Sequence, residues 1–285
     1  MSGVEIKPGG WRGAPAFAAA DSGIVPFRLR AHHHWMHFRL LIPGLVFVTA
    51  LRAQVTERPE TVQPGHFLVK MDALSIATNL HDSAGGNYSA VAVAKTFLTT
   101  GITDSLDVQV GADVFVSQKY TSAAGFTDRQ SGLGDLYFRT KWNFYRDDHS
   151  AVAVMPYVRL PTSTGNVGKR GLQGGLIVPW ATYLPGGGTF LAMGQWDFVR
   201  NDADNGYDSF WLATATLEQP LTSLLKFYGE VTAGKSSSGA PWAGTLGGGV
   251  QLHLSSIYWW DFAVYRGLSR GAPVWHPVIR VNWGF

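Results

Sequence analysis

From His66 to the last residue, Phe285, the chain repeatedly alternates apolar and polar residues at a period of two, the period of a β-strand. Leu136, Phe138, Thr140, Trp142 and Phe144 share one face of an extended segment, and Asp135, Tyr137, Arg139, Lys141 and Asn143 share the other. Val152, Val154, Pro156, Val158 and Leu160 oppose Tyr157 and Arg159 in the same way. So do Trp196 and Phe198 against Gln195 and Asp197, Phe227 and Val231 against Lys226 and Glu230, and Trp260, Phe262 and Val264 against Trp259, Asp261 and Tyr265. The last segment places Trp275, Pro277, Ile279, Val281, Trp283 and Phe285 on one face, with His276, Arg280 and Asn282 on the other. The chain therefore stops inside a strand, on an aromatic residue, where soluble domains usually trail off in loose polar residues.

About twelve such segments can be read, each near the ~10 residues that a tilted strand needs to cross a bilayer. The breaks between them alternate in length. Residues 101–104, 146–149, 185–188, 219–222 and 255–256 are tight, whereas 77–88, 117–132, 161–171, 200–208, 235–242 and 267–274 are longer and rich in Gly, Ser, Asn and Asp. Short turns on one side, long loops on the other and an even strand count are the pattern of an outer-membrane barrel. The fold expected is an all-β, antiparallel transmembrane β-barrel over residues 66–285, with both ends on the short-turn, periplasmic side. The apolar-face aromatics then fall at two levels. Trp196, Trp211 and Trp275 lie toward the long loops, and Trp142, Trp180, Trp260 and Trp283 toward the short turns, as membrane girdles do. A soluble barrel, whose polar face looks outward, would have to enclose all of these rings in its core.

Composition supports this class: 46% of residues are hydrophobic and only 15% charged, with 34 Gly, 11 Trp and no Cys. The formal charge of +3 invites a nucleic-acid reading. Six of the 23 Lys and Arg, but only two of the 20 acids, precede Gln54, which leaves 17 basic and 18 acidic residues after it. The basic excess belongs to the leader, so no nucleic-acid partner is implied. In that leader, Met36 opens a short basic start, an apolar stretch from Leu40 to Val48, and small residues at Ala50 and Ala53. This resembles a bacterial secretory signal peptide over 36–53, expected to be cleaved after Ala50 or Ala53. Residues 1–35 read as an upstream extension or a mis-assigned start, and their histidines carry no metal role. Residues 54–65 read as a periplasmic lead-in.

The terminal strand must close against the first, near His66–Ser75, so that no edge is left unpaired in lipid. Its Val281, Trp283 and Phe285 resemble the C-terminal signal read by the outer-membrane assembly machinery. The succession "ERPETVQPGHFLVKM", "GLGDLYFRTKWNF", "PYVRLPTSTG", "FYGEV" and "DFAVYRGLSRGAP…RVNWGF" resembles the outer-membrane family named for the meta-pathway of phenol degradation. Gly132–Asp135, Leu160–Thr162 and Arg266–Leu268 carry most of the likeness, which spans roughly 56–285; Lys70 departs from it, standing where an acid is expected. The resemblance implies a barrel that passes small, often aromatic, compounds. It supplies no catalytic or binding residues and no cofactor.

The polar face carries the residues that would line a lumen: Asp113, Asp135, Tyr137, Arg139, Lys141, Tyr157, Arg159, Asp197, Glu230, Asp261 and Arg280, with Asp72, Lys95, Asp107 and Lys226 beside them. Either they line a weakly selective pore, or they knit the lumen shut in ion pairs. About eight strands are filled by side chains and sixteen leave a channel, so about twelve imply a constricted or partly plugged pore, and the sequence leaves open whether Val55–Gly65 folds into the lumen as a plug. The function expected is passive passage of small solutes, aromatic or hydrophobic ones included, across outer-membrane lipid. A non-conducting structural or adhesive barrel is the alternative, and a lipid-modifying enzyme using His253 or His276 is a second. No nucleophile elbow, zinc-binding or phosphate-binding motif supports an enzyme.

Overall fold

The structure is a computed structural model that describes residues 54–285, apart from 82–84, 169 and 202–204. The expected upstream extension and signal peptide lie outside the described residues. Thirteen strands follow one another: β1 Phe67–His81, β2 Asn87–Thr103, β3 Leu106–Thr121, β4 Thr127–Gly132, β5 Leu136–Arg146, β6 Ser150–Leu160 and β7 Gln173–Tyr183. They continue as β8 Thr189–Arg200, β9 Tyr207–Pro220, β10 Leu225–Ser236, β11 Ala243–His253, β12 Tyr258–Gly267 and β13 Trp275–Gly284.

Every strand pairs antiparallel with its sequence neighbours, except at β4. The first half of β3 pairs with β5, from Leu106↔Trp142 to Ala112↔Leu136, while its second half pairs with β4, from Val116↔Gly132 to Thr121↔Thr127. β4 is therefore the returning arm of a hairpin that projects beyond the barrel, and twelve strands form the closed ring. The ring closes between β1 and β13, with Leu68↔Gly284 and Thr78↔Trp275 at the two ends of the register. The backbones of Phe67 and Phe285 exchange hydrogen bonds of 2.7 and 3.0 Å, and their rings stack at 5.3 Å. No edge is left open, the condition for β-structure in a hydrocarbon medium.

The long-loop ends differ from expectation at two places. Residues 77–81 and 87–88 belong to β1 and β2, not to a loop. Most of 117–132 is the β3–β4 hairpin, which was expected as irregular chain. Its β4 arm, Thr127–Gly132, is polar and pairs with Val116–Thr121 of β3, whose Gln118 and Tyr120 turn to the buried side. β-Bulges also reset the alternation. Asp72 and Ser75, an odd number of residues apart, are both buried in the interior because the register slips between Asp72 and Leu74. Likewise Asp113 and Val116 both face in, Val114 and Phe115 both face out, and opposite them Ala94 takes φ 55°.

Inside the ring lies an apolar layer of Phe97, Tyr137, Met155, Tyr157, Ile177, Met193, Phe210 and Leu212, joined by Val55 from the N-terminal segment. The outer face presents Trp142, Trp180, Trp196, Trp211, Trp275, Trp283 and Phe285 as exposed residues, with Trp260 half-buried.

Candidate functional site

The segment before β1 does not lie beside the barrel. Residues 54–57 are buried inside it, and the chain runs out along the interior wall until Pro64 pairs with Gly101 at the short-turn end. This extended segment lacks a partner strand over most of its length, so its backbone groups are satisfied by inward side chains. Glu230, at 1% exposure, accepts hydrogen bonds from the Val55 and Thr56 amides (2.8 and 2.7 Å) and from the hydroxyls of Thr56, Thr216 and Tyr265 (2.6, 2.9 and 2.6 Å). The Gln54 side-chain amide donates to Glu218 at 2.7 Å, and its backbone amide donates to the Tyr228 hydroxyl. Lys141 donates to the Glu60 carbonyl, Asn143 to the Pro59 carbonyl, and the Val62 amide to Asp107.

Charges complete the docking. Glu57 lies 3.3 Å from Arg139 and 3.6 Å from Lys70, while Arg58 bridges Glu218 (2.5 Å) and the segment's own Glu60 (3.1 Å). Burial disfavours the Glu60 carboxylate, but the Arg58 charge and the Tyr183 hydroxyl outweigh it and hold the group below the usual carboxylate range. Lys70 thus has a defined role: it meets an acid that arrives from the segment.

The residues expected to line a lumen are all brought to the interior. They are mostly arranged as a tyrosine or a cation on each acid: Tyr137 and Lys95 on Asp113, Arg159 on Asp135, Tyr157 on Asp197, Tyr228 on Asp261, Arg280 on Asp72 and Lys141 on Asp107. The Arg139 guanidinium sits over the Phe97 ring at 4.1 Å, with Tyr137 and Tyr157 close by. Gly247 and Gly249 make room for the rings that reach Glu230 and Asp261. A Cβ at Gly247 would stand 2.5 Å from Tyr265, and one at Gly249 2.6 Å from the Tyr228 hydroxyl.

A cavity of about 300 Å³ remains between the segment and the barrel wall, lined among others by Arg58, Lys70, Lys226, His253, Trp259 and Arg280. The rings of His253 and Trp259 stack in its wall, 5.6 Å apart. His276 is elsewhere, buried and hydrogen-bonded at 3.0 Å to Ser75, which has no exposed surface. At the long-loop end, the chain after β6 folds inward. Val167 packs on Ala92 and Val116, and Thr164 exchanges hydrogen bonds with the Leu133 backbone. The Asp135 carboxylate accepts from Ser163 and Arg159, and Thr162 accepts from the Leu136 amide. The Gly132–Asp135 and Leu160–Thr162 motifs are thus two sides of one clamp. Among the described residues, no group of three or more His, Asp or Glu is placed to hold a metal.

Sequence reasoning missed Gln54, Val55, Thr56, Phe97 and Phe210, and left open whether the segment from Val55 to Gly65 enters the lumen. The charged cluster Glu57, Arg58 and Glu60 around Pro59 was the available signal.

A closed twelve-stranded ring with a polar, charged interior and an aromatic-rich apolar exterior defines an outer-membrane β-barrel. The chain belongs to the family described as "Putative MetA-pathway of phenol degradation", whose model matches residues 50–276. Among solved structures it is similar to an outer membrane channel from Pseudomonas putida F1, at 13% identity and a TM-score of 0.60, covering 80% of this chain and 98% of that one. It is also similar to the β domain of the Bordetella autotransporter BrkA, at 11% identity and a TM-score of 0.51, covering 78% and 100%. At such identities the likeness concerns the fold. No curated protein matches the sequence significantly.

Proposed function

We propose that the protein is a passive outer-membrane channel for small solutes, held shut at rest by its own residues 54–62. The observation that carries this reading is the docked segment with the 300 Å³ cavity beside it. A barrel serving only as a wall would have no use for a strap seated by long-range bonds to β9, β10 and β5. In this reading the short turns and both chain ends face the periplasm. The exposed tryptophans form the two interfacial girdles, and Val281, Trp283 and Phe285 form the assembly signal. Solutes enter the cavity and pass when the segment shifts, with no nucleotide and no covalent step. The inward rings Trp259, Tyr137, Tyr157 and Tyr265 suit planar or apolar portions of a solute.

The test is single-channel recording in planar bilayers of protein extracted from outer membranes. Wild type should show rare, small openings. Thr56→Val, which removes hydroxyl bonds to Glu230, Thr214 and Thr216, should raise open probability at least several-fold. A folded Thr56→Val barrel that stays silent sinks the channel reading; a wild type that is steadily open sinks the closed resting state.

A further inference from the structure

The docked segment has a polarity of its own. Of its two carboxylates, Glu60 pairs with the segment's own Arg58 and with Tyr183, and Glu57 turns to Arg139 on β5 and Lys70 on β1. Its donors, namely the Val55 and Thr56 amides, the Gln54 side chain and Arg58, turn to Glu230 on β10 and Glu218 on β9. In a ring of twelve, β9 and β10 lie across the barrel from β2 and β3, so they face the arc that runs from β1 to β5. The β9–β12 wall turns the acids Glu218, Glu230 and Asp261 inward, with Lys226 as the one inward cation among its described residues, Lys235 and Arg266 lying exposed. The arc from β13 through β5 holds Lys70, Lys95, Arg139, Lys141 and Arg280 against Asp72, Asp107 and Asp113. One wall is acidic and the facing wall basic, and the segment lies between them as a dipole matched to both.

Two details show that these groups suit a ligand in place of the segment. Glu230 is fully buried and takes three of its five hydrogen bonds from the segment, so when the segment moves those positions must be filled by other donors. Arg139 is buried on a bed of aromatic rings with its Nε atom unsatisfied, so it has capacity for an acceptor beyond Glu57.

We propose that the space taken by residues 54–60 is a binding site for small dipolar solutes of the short-peptide type. The ligand's carboxylate would sit on Arg139 and its amine, amide or guanidinium donors on Glu230 and Glu218. The segment is then a tethered stand-in for the solute. The inference rests on the channel reading for its biological sense, and names the solute class of that channel.

The experiment measures binding, which needs no flux. Calorimetry on the detergent-purified, outer-membrane-extracted protein compares wild type with Val55→Pro, which loses one amide donor to Glu230 and so loosens the segment. The probe is the heptapeptide Gln-Val-Thr-Glu-Arg-Pro-Glu, with a control peptide in which glutamine replaces its first glutamate and its arginine. Val55→Pro should bind the heptapeptide at least tenfold more tightly than wild type does, and at least tenfold more tightly than it binds the control. Adding Arg139→Gln should cost about tenfold for the heptapeptide and leave the control unchanged, and benzoate should not compete. Should Val55→Pro fail to fold, Thr56→Val serves in its place. Equal binding of both peptides, no binding, or displacement by benzoate overturns the proposal. A variant that binds as expected yet conducts nothing overturns the channel alone.

Discussion

Glu60 reports docking through Tyr183 on β7, whose hydroxyl reaches it only when the segment is in place, while Arg58 travels with it on the same segment. Its carboxyl pKa is lower when docked than when free. The stabilisation it gives is therefore complete above the ordinary glutamate range and is lost as pH falls through the lowered, docked value. Hydrogen-exchange protection of 54–62 should fall on acidification, and Glu60→Gln should lower it at neutral pH and flatten the acid-induced loss. At this scale much was legible: every acid, lysine and arginine assigned to the interior from the two-residue period is there. Phe97 and Phe210 were not legible, because an aromatic residue in an alternating strand reads as lipid-facing. Nor were Thr56 and Gln54, whose polar side chains are buried by bonds to residues more than 150 positions away.

Among the elements, β11 shows how sequence sets the lumen's shape. Its Gly247 and Gly249 give up packing so that the Tyr265 and Tyr228 rings can pass close over the strand and deliver their hydroxyls to Glu230 and Asp261. Gly247→Val would place side-chain atoms against Tyr265 and the Val264 carbonyl. It should destabilise the barrel by about 1–3 kcal/mol, read as a lower midpoint of urea unfolding in lipid vesicles, and release Tyr265 from Glu230. The strands themselves, their short turns and the β1–β13 closure could be read from the sequence because lipid on one side and polar lumen on the other enforce strict alternation. The bulges at Asp72–Leu74 and around Ala94 could not, since a single inserted residue leaves local composition unchanged. β4 was hidden for a related reason: outside the membrane a hairpin needs no apolar face.

For the whole molecule, the medium decides what a substitution costs. Val231 is exposed on the outer face midway along β10, so Val231→Arg should cost about 2–4 kcal/mol in a bilayer. The same change in a soluble barrel's surface would be nearly neutral. Vesicle-based unfolding titrations of the two proteins distinguish these outcomes. The position of Gln54 also bears on the order of events during biogenesis. The segment's partners lie on strands synthesised late, Glu218 and Glu230 among them, and the seam joins the first strand to the last. Because the segment leads directly into β1, seam and strap involve the same stretch of chain and both wait for the C-terminal strands to arrive. Contacts so distant along the chain carry the largest loop-closure cost, so they are expected late. A nascent barrel therefore remains an open, hollow sheet until its final strand docks, and it acquires its contents in the same step that makes it a cylinder.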